Sequence, residues 1–166
     1  MRYFLTGFPG SGKTRLGVLW AAKNGLQFYD LDILIEEEER KTVAEIFEAY
    51  GEGYFRELEA AMLRNTDRFE NCIIACGGGT PCFFDNMQWM NRNGITVFLD
   101  QDEEIIFSHL RNDPKVRPLI ADKDDGALKD YIIQERLSRL PFYRASTYTL
   151  KPDSLNAEGF EQIIQH

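Results

Sequence analysis

The sequence is poor in the residues that build disulfide frameworks and zinc sites. It has three cysteines, Cys72, Cys76 and Cys82, with no CxxC pair among them, and two histidines, His109 and His166, far apart along the chain. An odd cysteine count without metal-ligand spacing argues against a disulfide framework and against a Cys/His zinc site. We therefore expect reduced thiols that act as small hydrophobic side chains, as in a cytoplasmic protein.

The sequence also lacks long apolar runs and an excess of positive charge. No apolar run approaches about 18 residues, so no membrane-spanning helix is expected. The net charge is -8 and the pI about 4.8, which argues against nucleic acid or an anionic membrane surface as a partner. The N-terminus has no signal-peptide pattern. We expect a cytoplasmic monomer whose partners are small molecules.

The composition that is present suits one folded domain. The chain has 166 residues, of which 43% are hydrophobic and 28% charged, as in ordinary globular proteins with a sizeable core. Apolar stretches alternate with stretches of helical periodicity, which predicts a parallel sheet with crossover helices. Strands are predicted at 3–6, 27–30, 72–76, 96–99 and 148–150. Helices are predicted at 13–24, 33–40, 43–50, 53–66, 85–93, 103–112, 128–140 and 157–165. The expected fold is α/β, with three α/β/α layers around a central five-stranded parallel sheet.

The first predicted strand leads into the stretch Gly7-Phe8-Pro9-Gly10-Ser11-Gly12-Lys13-Thr14. A strand, a Gly-x4-Gly-Lys-Thr turn and a helix form the context of a phosphate-binding P-loop. Glycines let backbone N–H groups turn toward a polyanion, and the helix N-terminus adds partial positive charge. Lys13 supplies a mobile cation for the outer phosphates, and the Thr14 hydroxyl suits Mg²⁺. The sequence therefore predicts a nucleoside triphosphate site, against the alternative of a glycine-rich turn without a ligand.

Two acidic residues, Asp30 and Asp32, end the second predicted strand. Ligands of open α/β sheets bind at this end of the strands, and side chains two apart on a strand share a face. We expect Asp30 to serve Mg²⁺ and Asp32 to accept a proton from an acceptor hydroxyl. An equally weighted alternative is that Asp32 only caps a helix beginning at Ile33.

Three further stretches suggest an acceptor site. The triplet Gly77-Gly78-Gly79 follows a buried strand, where glycine permits close approach of a ligand to the backbone, although a flexible turn is the alternative. Three arginines, Arg56, Arg117 and Arg139, lie in distinctive local sequences, but each taken alone is more typical of a surface salt bridge. The stretch 112–126 has little periodicity and two prolines, which is typical of a lid.

Taken together, these stretches resemble the shikimate kinase family over nearly the whole chain. Besides the P-loop, the resemblance rests on Asp30-Leu31-Asp32, Ile35-Glu36, Thr42-Val43-Ala44-Glu45-Ile46-Phe47, Gly51-Glu52-Gly53-Tyr54-Phe55-Arg56 with Glu59, Gly77-Gly78-Gly79, Arg117-Pro118-Leu119 and Arg139-Leu140-Pro141-Phe142-Tyr143. Generic small kinases share the P-loop but not this combination.

The resemblance implies a role for each matching residue. It implies catalytic roles for Lys13, Asp32 and Arg117, and Mg²⁺ binding by Thr14 and Asp30. It implies that Glu59 holds Arg56, and that Val43, Phe47 and Phe55 form an apolar wall. The implied ATP-binding residues are Gly10, Ser11, Gly12, Lys13, Thr14, Arg15, Arg111 and Arg117. The implied shikimate-binding residues are Asp32, Arg56, Gly78, Gly79 and Arg139.

The resemblance further implies a single P-loop kinase domain over 1–166, with a lid at about 112–126 and a substrate-binding helical region at about 32–66. The implied reaction transfers a phosphoryl group from ATP to the 3-hydroxyl of shikimate, in aromatic amino-acid biosynthesis. Two alternatives stay open: a kinase for another acceptor, such as gluconate or a nucleotide, and a nucleotide-binding module without turnover.

Overall fold

The computed structural model describes residues 1–164, which contain a five-stranded parallel sheet between layers of helices. The strands are β1 (Arg2–Thr6), β2 (Gln27–Asp30), β3 (Cys72–Ala75), β4 (Ile95–Leu99) and β5 (Tyr148–Leu150), in the spatial order β2-β3-β1-β4-β5. Every neighbouring pair is parallel. The predicted fold class is confirmed, because strands buried on both faces in a parallel sheet require helices on both sides.

The described residues contain seven α-helices. These are α1 (Lys13–Asn24), α2 (Leu31–Glu39), α3 (Val43–Asn65), α4 (Asn86–Asn93), α5 (Glu103–Asn112), α6 (Asp125–Tyr143) and α7 (Glu161–Ile164), with short 3₁₀ turns at Thr66–Arg68, Thr80–Cys82 and Pro152–Ser154. Among these helices, none is long and apolar enough to cross a membrane.

Local side-chain chemistry explains where two helices depart from the prediction. Helix α2 begins at Leu31 and not at 33, because the Asp30 carboxylate accepts a hydrogen bond from Ile33 N at 3.3 Å and acts as the N-cap. Helix α6 begins three residues early, since Asp124 caps it by accepting from Ala127 N at 2.8 Å. It also runs past Pro141 to its end at Tyr143, so a proline in the last turn does not stop it.

Glycines account for two other departures. The helices predicted at 43–50 and 53–66 form one element, α3, interrupted at Gly51, whose φ of 85° and ψ of 172° are not helical. Helix α7 begins at Glu161 and not at 157, because Gly159 lies in a tight turn where a Cβ would meet Ser154 O at 1.8 Å. The predicted end of this helix at 165 lies outside the described residues.

The sheet topology creates the crevice that matters for function. Strand β1 lies between β3 and β4. The chain therefore adds β2 and β3 on one side of β1, and later adds β4 and β5 on the other side. Such a switch in direction opens a crevice at the carboxyl ends of the strands. The loop after β1 and the loop after β3 meet there: a Cβ on Gly78 would lie 2.3 Å from Pro9 Cδ.

Candidate active site

The loop between β1 and α1 has the backbone of a phosphate-binding cradle. Gly7, Gly10 and Gly12 have φ values of 146°, 85° and 101°, a region that other residues adopt only with strain. Helix α1 begins directly afterwards at Lys13, so its first N–H groups face the loop. The hydroxyl of Ser11 is buried and has no hydrogen-bond partner within the described residues. A buried hydroxyl left in this way suits a ligand oxygen inside the loop.

Lys13 lies folded against its own loop. Its Nζ donates to Gly7 O at 2.5 Å and to Phe8 O at 3.0 Å, and the residue is 9% exposed. Burial, together with the positive charge of Arg117, lowers the pKa of Lys13 to about 7. The two carbonyl oxygens carry only partial negative charge. An anion bound in the loop would give the Lys13 ammonium a fully charged partner.

Thr14 and Asp30 lie side by side at the edge of the same groove. Thr14 Oγ1 donates to Asp30 Oδ2 at 3.0 Å. Within residues 1–164, His, Cys, Asp and Glu side chains form no cluster of three that would hold a metal ion alone. A hydroxyl next to a carboxylate nevertheless fits Mg²⁺ that is shared with phosphate oxygens, since Mg²⁺ keeps few protein ligands.

Asp32 reaches the groove from a helix and not from a strand, which corrects the predicted strand-face pairing of the two acids. It lies in the first turn of α2, whereas Asp30 caps that helix. The alternative interpretation, in which Asp32 only caps this helix, was therefore wrong. Asp32 faces the groove, where Lys115 Nζ lies 3.5 Å from its Oδ2. Burial raises the pKa of Asp32, and Lys115 is the strongest opposing influence.

A second pocket adjoins the nucleotide groove and contains two buried arginines. Arg56 and Arg139 are each 6% exposed and both line this pocket. Arg56 Nη1 donates to Glu59 Oε1 at 3.0 Å, as the sequence predicted, and Arg56 Nε and Nη2 reach Glu52. Arg139 Nε donates to Glu135 at 3.1 Å. Two fixed guanidinium groups in a small pocket suit a carboxylate-bearing ligand.

Buried neighbours hold Arg56 in position. Glu59 is fully buried and also accepts from Thr80 Oγ1 at 2.7 Å. Gly79 leaves room for Arg56, because a Cβ there would lie 2.6 Å from Arg56 Nη2. One part of the pocket wall is apolar and includes Val43, Phe47 and Phe55. The site thus combines charged and apolar recognition in one cavity.

The segment between α5 and α6 contributes residues to both pockets. Lys115 and Arg117 line the nucleotide groove and the second pocket alike. Asp113 Oδ2 accepts from Arg117 Nη2 at 3.0 Å, and Asp113 Oδ1 accepts from Lys115 N at 2.9 Å. Arg117 Nε is buried and has no partner within the described residues. The segment therefore presents two cations to the junction of the pockets.

Most residues singled out from the sequence meet at this junction, with one exception. Arg15 lines the nucleotide groove, whereas Arg111 lies on an exposed face of α5, pairs with Asp125 at 3.5 Å and does not line it. The sequence analysis missed Lys115 and also Tyr143, whose hydroxyl donates to Gly78 O at 2.6 Å. Lys115 had a signal in the sequence, since it lies two residues before Arg117 in the expected lid.

The strand order, the P-loop and the second, arginine-lined pocket define a P-loop kinase of a small molecule. A family model described as shikimate kinase matches residues 9–166. The shikimate kinase of Bacteroides fragilis is 49% identical over 155 residues, covering 93% of this chain and 87% of the relative. The chain belongs to the shikimate kinase family, as its sequence motifs predicted.

Solved structures agree with this assignment. A crystal structure of shikimate kinase from Bacteroides thetaiotaomicron has 42% identity and a TM-score of 0.93, covering 100% of this chain and 99% of that one. Shikimate kinase from Acinetobacter baumannii, in complex with shikimate, has 28% identity and a TM-score of 0.85, covering 99% and 90%.

Proposed function

We propose that this protein transfers the γ-phosphoryl group of ATP to the 3-hydroxyl of shikimate, giving shikimate 3-phosphate and ADP. The observation that carries the acceptor assignment is the pair of buried arginines, Arg56 and Arg139, in the pocket beside the P-loop. A compact acceptor with one carboxylate and several hydroxyls matches two guanidinium forks and a ring-sized apolar wall. A nucleobase does not offer the anion that these arginines require.

The nucleotide groove would hold ATP through the P-loop amides. Gly10, Ser11 and Gly12 form the cradle, Lys13 approaches the outer phosphates, and Arg15 lies at the groove wall. Thr14 and Asp30 would hold Mg²⁺, which neutralises phosphate charge when bound.

The acceptor pocket would hold shikimate by its carboxylate. Arg56 and Arg139 would bind that group, with Glu59 fixing Arg56, while Gly78 and Gly79 bring backbone groups close to the ligand. This arrangement directs a ring hydroxyl toward Asp32, which lies between the two pockets.

The chemical step follows from these positions. The acceptor hydroxyl oxygen forms a bond to the γ-phosphorus, and the bond from that phosphorus to the β–γ bridging oxygen breaks, so that ADP leaves with the electron pair. Asp32 takes the hydroxyl proton. Lys13 and Arg117 neutralise charge on the transferring group, and the segment around Arg117 excludes water that would otherwise hydrolyse ATP.

The direct test measures ADP release with shikimate, gluconate, AMP or no acceptor. Of these four conditions, we expect ADP release only with shikimate. Preference for gluconate or AMP would overturn the acceptor assignment, and nucleotide binding without turnover would indicate a non-catalytic module.

The carboxylate clamp has its own test. Losing Arg56 or Arg139 should lower kcat/KM about 10- to 150-fold, the range of one charged hydrogen bond of roughly 1.5–3 kcal/mol. Wild type should reject a shikimate analogue that carries a carboxamide in place of the carboxylate. The Arg56→Ala variant should lose much less with that analogue, because both changes remove one interaction. Additive losses would show that the carboxylate binds elsewhere.

Three other features belong to the same proposal. We infer a cytoplasmic location and a monomer, and one functional unit over 1–166 with its lid at about 112–126 and its substrate region at about 32–66. The lid assignment is supported by the contact of its residues with both pockets.

A further inference from the structure

We propose that Thr80 is a positioning residue of the acceptor pocket, which acts on Arg56 through the buried carboxylate of Glu59. The inference rests on the proposed function, in which Arg56 binds the carboxylate of shikimate. It extends that binding site to a residue that does not touch the ligand, because Thr80 is fully buried and does not line the pocket. Thr80 directly follows the glycine triplet in the sequence.

The two carboxylate oxygens of Glu59 have different partners. Oε1 accepts from Arg56 Nη1 at 3.0 Å, and Oε2 accepts from Thr80 Oγ1 at 2.7 Å. The last torsion of a glutamate side chain is only weakly restricted by its own rotamer preferences. Because Glu59 is fully buried, away from water that would replace either partner, these two hydrogen bonds fix the plane of its carboxylate. Thr80 therefore determines how Glu59 faces Arg56.

Thr80 is itself held in place. Its N donates to Gly77 O at 3.1 Å, and its O accepts from Asn86 Nδ2 at 2.9 Å. Asn86 is fully buried, and its Oδ1 accepts from Arg64 Nη1 at 2.8 Å. Gly77 leaves the space that the pair needs, because a Cβ there would lie 3.1 Å from Thr80 Oγ1 and 3.2 Å from Glu59 Oε2. The hydroxyl is therefore presented to Glu59 from a fixed backbone.

This arrangement leaves part of the Arg56 guanidinium available to a ligand. Arg56 Nε and Nη2 donate to Glu52 Oε2 at 3.2 and 3.1 Å, and Nη1 donates to Glu59. A guanidinium has five N–H donors, so within the described residues one N–H on Nη1 and one on Nη2 have no partner. Two N–H groups of one guanidinium match the two oxygens of a carboxylate.

Loss of the Thr80 hydroxyl would change this pattern. Glu59 Oε2 would be buried without a donor, which is unfavourable for a carboxylate. The carboxylate would then turn toward Arg56 and take up an N–H group that the acceptor needs. We expect Thr80 to affect acceptor binding and not the phosphoryl-transfer step, because the carboxylate of the acceptor does not react.

The experiment measures steady-state kinetics at saturating MgATP in wild type, Thr80→Val and Thr80→Ser. Valine keeps the shape of threonine without its hydroxyl, and serine keeps the hydroxyl. In Thr80→Val the KM for shikimate should rise about 2- to 12-fold, the effect of one hydrogen bond, while kcat stays within about twofold. Thr80→Ser should restore the KM to within about twofold of wild type. An unchanged KM in Thr80→Val, or a loss confined to kcat, would overturn the inference.

Thr66→Val is the matched control for the loss of a buried threonine hydroxyl. Thr66 is fully buried, its Oγ1 donates to Leu63 O at 2.6 Å, and it lines neither pocket. Urea denaturation shows how far each valine variant is destabilised, whereas only Thr80→Val should raise the KM for shikimate. An equal rise of KM in both variants would contradict a specific role for Thr80. Thr80→Ala lacks the same hydroxyl and replaces Thr80→Val if that variant does not fold.

A double-mutant cycle tests the route through Arg56. In an Arg56→Ala background, Thr80→Val should change kcat/KM by less than about twofold, near the usual error of additivity. If the loss of the hydroxyl has its full effect without Arg56, Thr80 acts by another route and the inference fails.

A readout without turnover separates this inference from the proposed function. The Nε–Hε signal of Arg56 can be followed by NMR in the free protein, with its assignment made by its loss in Arg56→Ala. The signal should move in Thr80→Val and stay near its wild-type position in Thr80→Ser and Thr66→Val. An unmoved signal in Thr80→Val would overturn the role of Thr80. Lack of turnover with shikimate in wild type would instead overturn the proposed function, and the NMR result would still decide whether Thr80 positions Arg56.

Discussion

Nucleotide binding should become weaker as pH rises above neutrality, because of Lys13. Its pKa in the protein alone is about 7, whereas contact with the phosphates favours the charged ammonium and raises that pKa. Above pH 7 the lysine is mostly neutral, so binding has to take up a proton. Each further pH unit then makes the binding free energy about 1.4 kcal/mol less favourable, which raises Kd tenfold. Between pH 7 and pH 8.5 the Kd should increase roughly 15-fold by this linkage.

Calorimetry of a non-hydrolysable ATP analogue with Mg²⁺, in two buffers of different ionisation heat, measures the proton uptake directly. We expect about half a proton at pH 7 and nearly one at pH 8.5. Lys13→Arg is the control, because a guanidinium stays charged throughout this range. A Kd in wild type that does not change from pH 6.5 to 8.5 would refute the argument. The same pH dependence in Lys13→Arg would show that a group other than Lys13 causes it.

Two predictions concern the supports of the site. Glu59→Gln should lower the free energy of unfolding by about 3 kcal/mol, since it leaves a buried arginine without its buried partner, and urea denaturation measures this. The exposed Glu57→Gln on the same helix should change stability by less than about 0.5 kcal/mol, and equal effects would contradict the role of the buried pair. Gly78→Ala should reduce kcat and weaken both substrates, because its Cβ would lie 2.3 Å from Pro9 Cδ. Gly53→Ala, where a Cβ meets nothing within 4 Å, should leave steady-state kinetics unchanged.

The sequence predicted those elements that leave a local pattern in it. Strands β1 and β3 are buried on both faces, so they appear as continuous apolar runs between helical stretches. The P-loop was predicted because its backbone conformation requires glycine at fixed positions before Lys13, so the motif is visible in the sequence. The Arg56–Glu59 pair was predicted because residues three apart on a helix share a face.

Predictions failed where a competing local interaction decides the structure. Asp30 and Asp32 are equally suited to cap a helix, and only the fold shows that Asp30 does so. Helix α6 continues through Pro141, since packing of its last turn outweighs the local preference. The contact of Lys115 with Asp32 spans 83 positions of sequence, and no local pattern encodes such a distance. Arg111 is exposed and pairs with Asp125 at 3.5 Å, so its expected role in ATP binding stays a prediction.

Helix α6 affects which mutations can alter the choice of acceptor. It begins where the lid ends, carries Arg139 on its inner face, and is fixed at its far end by the hydrogen bond of Tyr143 to Gly78 O. Buried Ile132 and Leu140 anchor it along its length. We therefore expect movement of the proposed lid to leave Arg139 in place, because α6 is fixed along its length and at its far end. We expect lid substitutions at positions that line neither pocket to change turnover more than the choice of acceptor, because the carboxylate-binding Arg139 is carried by α6 and not by the lid.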